Sequence, residues 1–135
     1  MTRDGDLRHI FRLHFPEAQW TAIESPMTAA GIPDHEYCFP QGKSGWIEYK
    51  KTHTRGISNL KPLQIAWLER RGRLGGRAFV AVRRMAKNDD QLWLIHAAKI
   101  REVMDLGLSP TDGISVWAGG PSRWPWDRVK KILTD

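Results

Sequence analysis

Gly31-Ile-Pro-Asp-His-Glu-Tyr-Cys-Phe-Pro40, then Gln41-Gly-Lys-Ser-Gly45, then Trp46-Ile-Glu-Tyr-Lys50 follow one another without interruption, and this stretch decides the fold. Residues 35 to 39 alternate larger and polar side chains, with aromatic Tyr37 and Phe39, between turn formers, so they read as a strand. The Gln-Gly-Lys-Ser-Gly run reads as a turn, and Trp46 to Lys50 as the returning strand of a hairpin. Working outward, Pro62 suits the first position of a helix and Gly72, Gly75 and Gly76 suit its end, which places a helix over Pro62 to Arg73. Leu63, Ala66, Trp67 and Leu74 are expected to form its apolar stripe. Arg77 to Arg83 and Gln91 to His96 read as buried strands, and Ala98 to Leu106 as a helix stopped by Gly107. Upstream, Leu7, Ile10, Phe11 and His14 give a short helix ended by Pro16, and alternation from Trp20 to Ser25 suggests a strand. Downstream, Ile114 to Trp117 reads as a short strand and Pro125 to Leu133 as a terminal helix. The expected fold class is α/β, a mixed β-sheet flanked by helices.

The 135 residues suit one domain, residues 1 to 135, with 41% hydrophobic and 27% charged positions. No apolar run reaches the ~18 residues of a membrane span, and Arg3, Asp4, Asp6 and Arg8 interrupt any leader-like stretch, so a cytoplasmic protein without membrane contact is expected. A single cysteine, Cys38, excludes an internal disulfide and a thiolate metal cluster. His35, Cys38 and His53 make an unconvincing zinc set.

Net charge is +6, and its distribution says more than its size. Lys43 to Lys87 holds twelve Lys or Arg against Glu48 and Glu69 alone. An anionic partner, DNA, is the natural inference, with Lys51, Arg55 and Lys61 after the second hairpin strand as phosphate contacts. Arg70, Arg71, Arg73 and Arg77 follow around the helix end. Of seven tryptophans most should pack in the core, while Trp124-Pro-Trp126 beside Arg123 and Arg128 is a possible DNA or subunit contact.

Alternation on the second strand puts Glu48 and Lys50 on one face, with Ile47 and Tyr49 on the other. The hairpin can bring Asp34 beside Glu48. Two carboxylates together attract a hard cation such as Mg²⁺, with Mn²⁺ as a substitute, and an adjoining lysine can orient water or offset charge developing on phosphorus. The bland alternative is a turn aspartate, a surface charge pair and a solvated Gln64. Glu48-Tyr-Lys50 is the only acidic-x-Lys triplet, and about one is expected by chance. Its context gives it weight.

From Glu24 to Arg83 the chain resembles the PD-(D/E)XK nucleases, in particular the virus-type replication-repair nuclease (VRR-NUC) and Holliday-junction-resolvase-like branch, members of which occur in bacteriophages. The resemblance rests on Glu24, Gly31-Ile-Pro-Asp34, Gly45-Trp-Ile-Glu48-Tyr-Lys50, Leu60-Lys-Pro-Leu-Gln64-Ile-Ala-Trp67-Leu and Gly75-Gly-Arg-Ala-Phe-Val. It implies a restriction-endonuclease-like core, Mg²⁺-dependent hydrolysis of DNA phosphodiesters, with branched or junction DNA as a candidate substrate, and a homodimer. In phage, the host cytoplasm would be its location. It further implies Asp34 and Glu48 as metal ligands, the Tyr49 carbonyl as another, Lys50 as the catalytic lysine and Gln64 as a helix residue beside the site. Glu24 resembles the early acidic ligand, with Glu17 as the fallback. The alternative reading is a nucleic-acid-binding module of the same fold without catalysis.

Overall fold

In a computed structural model, which describes residues 2–24, 26–27 and 30–135, the stretch from Lys43 to Thr52 is an interior strand of a six-stranded sheet. The strands are β1 (Gln19–Ala22), β2 (His35–Phe39), β3 (Lys43–Thr52), β4 (Ala78–Ala86), β5 (Asp89–His96) and β6 (Ile114–Trp117), and they lie side by side in chain order. Only β3 and β4 run parallel; every other neighbouring pair is antiparallel. A parallel pair needs a crossover, which α2 (Pro62–Arg73) supplies. The other helices are α1 (Leu7–His14), α3 (Ile100–Leu106) and α4 (Trp126–Thr134). The mixed sheet flanked by helices is therefore present.

Each face of the sheet carries its own core. On one, α1 and α4 cover Tyr37, Phe39, Ile47, Tyr49, Phe79 and Leu94. On the other, α2 and α3 cover Ala78, Val80, Val82, Trp93 and Ile95. The central strands are buried on both faces, which explains why Ala78 to Val82 is a continuous apolar run. Trp124 is buried with its indole N–H on the Asp90 carbonyl at 3.1 Å, and Trp126 packs edge-on against Phe11 and Phe15. Trp124 is thus part of the core, and Trp126 is half-buried and packs against it.

Several boundaries differ from expectation. The hairpin turn is a short 3₁₀ turn at Pro40–Gly42, with Gln41 at φ 70° and Gly42 at φ 71°, so β3 begins at Lys43 opposite Phe39, and β4 joins it from Trp46. β1 stops at Ala22; Glu24 follows outside the strand, and Ser25 lies outside the described residues. The stripe on α2 is Ile65, Leu68 and Gly72, while Leu63, Ala66 and Leu74 are exposed and Trp67 is half-buried. Gly72 explains the rotation: a Cβ there would stand 2.3 Å from the Ala98 nitrogen, so the helix meets the turn before α3 along its smallest residue. Among the described residues no helix is long and apolar enough to cross a membrane.

Candidate active site

The alternation along β3 sends Trp46, Glu48 and Lys50 toward α2, and Ile47 and Tyr49 toward α1 and α4. Strand β2 starts at His35, paired with Ile47, so Asp34 stands opposite Glu48 just where the backbone ladder ends. Side chains take over from the ladder there. The Asp34 N–H donates to Glu48 Oε1 at 3.1 Å, and the Tyr49 N–H donates to Asp34 Oδ2 at 3.1 Å. Each carboxylate is held by the backbone at or next to the other. Because N–H and C=O of one strand residue leave on the same side, the Tyr49 carbonyl also points toward this gap.

Glu48 Oε2 accepts from Gln64 Nε2 at 3.1 Å and lies 3.3 Å from Lys50 Nζ. Gln64 is itself fixed, since its Oε1 accepts the N–H of Lys61 at 2.9 Å and so caps the start of α2. The Lys50 ammonium donates to the Asn59 carbonyl at 3.1 Å. The loop that carries Asp34 is seated against α2 through Gly31, whose φ is +100° and where a Cβ would meet the Leu63 carbonyl at 2.3 Å. Only glycine admits that approach.

Glu48 is 2% exposed, and burial together with the Asp34 charge pushes its carboxyl up to about 7, against the pull of Lys50. A like-charged pair at low dielectric cannot easily stay ionised on both members, so it favours a bound cation or a proton. Behind it, on the opposite face, His35 Nδ1 and the Tyr49 hydroxyl are 3.0 Å apart. Burial, then Arg8 and Arg12, lower His35 to about 4, so this backing is a neutral pair at neutral pH.

A cleft of about 760 Å³ opens over Asp34 between the starts of α1 and α2, with Glu48 buried beneath its floor and Arg3, Asp4, Arg8, Lys50, Asn59 and Lys61 in its walls. Arg8 comes within 3.8 Å of Asp34 Oδ1, and Asp4 holds the Arg8 backbone N–H at 3.2 Å. The donor set at the carboxylate pair is all oxygen, which suits a hard divalent cation that keeps several waters. Asp34, Glu48 and the Tyr49 carbonyl are the residues that would hold it. Among the described residues no group of three or more His, Cys, Asp or Glu is placed around one metal position.

Asp34, Glu48, Lys50 and Gln64 are thus brought together. Glu24 is not: it is exposed beyond β1 and lies outside the cleft walls. Glu17 is engaged elsewhere, 2.8 Å from Lys130 of α4. Of the three expected phosphate contacts, only Lys61 lines the cleft. Lys51 follows Lys50 by one residue and so faces the other side of the sheet. Arg55 reaches back to the Leu108 carbonyl at 3.3 Å, and buried Ile57 and Leu60 fasten its loop. His35 and Cys38, three apart on one strand, point to opposite faces and cannot share a zinc. Sequence reasoning missed Arg3 and Arg8, because the basic excess drew attention to the middle of the chain and only the packing of α1 brings them here.

No family model matches this chain, and no curated protein or solved structure is significantly similar to it.

Proposed function

We propose that the chain is a metal-dependent DNA endonuclease with a restriction-endonuclease-like core. The observation that carries the reading is the interlocked Asp34–Glu48 pair, with Lys50 Nζ 3.3 Å from Glu48, at the floor of a cleft walled by arginine and lysine. When bound, a divalent ion supplies Lewis-acid stabilisation of phosphate oxygens and activation of the attacking water. Asp34, Glu48 and the Tyr49 carbonyl would hold the ion. Lys50, kept in place by Glu48 and the Asn59 carbonyl, orients the incoming water and offsets the charge that builds on phosphorus. Gln64 keeps Glu48 in register, and Arg3, Arg8 and Lys61 receive the strand's phosphates. DNA is the partner; a homodimer would place two such clefts on two strands of a branched substrate.

A plasmid-nicking assay with Mg²⁺, Mn²⁺ or chelator tests the reading. Cleavage that needs the metal and disappears in Asp34→Ala and Lys50→Ala supports it. DNA binding with no cleavage under any metal would leave the alternative, a non-catalytic binding module of the same fold.

A further inference from the structure

One step from the carboxylates, β3 and α2 carry a second constellation. Trp46 precedes Glu48 by two residues on the same face, roughly 7 Å along the strand. Trp67 follows Gln64 by three residues, about one helical turn. Their rings meet edge to face at 5.5 Å. The Arg71 guanidinium lies 4.5 Å from the Trp67 ring centre and 5.5 Å from that of Trp46. Its stem is confined by Gly76, where a Cβ would stand 2.5 Å from Arg71 Cδ.

This cluster is ordered but unspent. Trp20, Trp93, Trp124 and Trp126 each donate the indole N–H to a protein acceptor. Among the described residues, those of Trp46, Trp67 and, on β6, Trp117 donate to nothing and are not sealed from solvent. Arg71 likewise has no carboxylate within 4.0 Å and donates no side-chain hydrogen bond among them, whereas neighbouring Arg73 is paired with Glu69 at 3.4 Å. Two open hollows flank it: one of about 350 Å³ beside Trp46, Arg77 and Asp135, the other of about 300 Å³ beside Trp67, Arg70 and Leu74. Flat aromatic rings, a pre-placed guanidinium plane and further arginines match a base with its flanking phosphates. A duplex hides its base faces. An unpaired strand offers them.

We propose that Trp46, Trp67 and Arg71 form a stacking site for an unpaired nucleobase, with Arg70 meeting an adjacent phosphate; Arg77 is held by the Asp135 and Ser44 backbone oxygens. The site selects single-stranded or splayed DNA for the cleft. It rests on the nuclease reading for its place beside the scissile phosphate, and on its own geometry for binding.

The test uses the full chain in chelator, where no cleavage occurs, with three labelled probes: a thymidine oligomer, an abasic oligomer of equal length and a duplex. Wild type should bind the thymidine oligomer about tenfold or more tightly than the abasic one. Trp67→Ala and Arg71→Ala should abolish that difference, whereas Arg70→Ala should keep it and lower the single-strand salt slope by about 0.7. Arg71→Lys keeps the charge and should keep the slope yet lose the base preference. Trp67→Phe, with near-ultraviolet dichroism and Tm as checks of the fold, should retain part of it. No preference for bases in wild type, or a preference surviving in folded Trp67→Phe and Arg71→Lys at full size, overturns the site. Absence of Mg²⁺-dependent cleavage alongside an intact, Arg71-dependent base preference would instead remove the nuclease reading and leave this one standing.

Discussion

The two faces of β3 bury polar groups at equal depth and treat them in opposite ways. Tyr49 and His35, on the face toward α1 and α4, are buried and satisfy one another as neutral partners. Glu48, on the face toward α2, is equally buried but meets the charges of Asp34 and Lys50. The first arrangement costs little, because each group exchanges a water hydrogen bond for a protein one. The second is expensive, since ionised groups lose hydration that their partners return only in part. Under the proposed function, the awkward charge on the second side is the one that binds the metal.

The largest expected effect breaks the comparison outright if it fails. Lys50→Ala should lower cleavage by about 10² to 10⁴-fold while metal and DNA binding persist. Asp34→Ala and Glu48→Ala should lose cleavage and weaken metal binding, with DNA affinity in chelator unchanged or higher because a carboxylate that repels phosphate is gone. Full turnover by Lys50→Ala would move the active centre away from this strand.

Stability against pH sharpens the contrast next. Glu48 ordinarily titrates near 4.5 and in the folded protein near 7. The folded state therefore holds a proton that the unfolded chain has lost, so the Glu48 contribution is present below pH 4.5 and disappears as pH rises through 7. Glu48→Gln has no such loss. Metal-free, its stability relative to wild type should rise between pH 4.5 and 8 by about 2 to 3 kcal/mol, as read by denaturant melts. His35, lowered to about 4, gains stability over the lower part of that range, but it does so in both proteins and cancels in the difference. A flat difference curve would mean that Glu48 is not penalised by its burial.

On the other face the sign should reverse. Tyr49→Phe leaves His35 without its partner and should cost about 1 to 3 kcal/mol at pH 7, seen as a lowered Tm. A gain there would erase the distinction between the faces. The smallest effect is in salt dependence: Lys61→Ala and Arg8→Ala should each flatten the slope of log affinity for duplex DNA by about 0.9, whereas Lys51→Ala, on the far side of the sheet, should not.

What sequence alone determined is what local chemistry determines. Alternation from Trp46 to Lys50 puts Glu48 with Lys50, Pro62 starts α2, the apolar run after Ala78 requires a strand covered on both faces, and the proline-aspartate turn delivers Asp34 to the hairpin; each follows from periodicity or from one residue's backbone preference. Contacts between distant segments were not legible, because no local period encodes them. Only the tertiary structure turned α2 onto Ile65, Leu68 and Gly72, where the close approach to Ala98 outweighs the larger side chains of Leu63 and Leu74. Only it left Glu24 outside, drew Arg8 to Asp34, fastened Arg55 to Leu108 and stacked Arg71 on Trp67, since each depends on where two helices or loops come to rest against the same sheet.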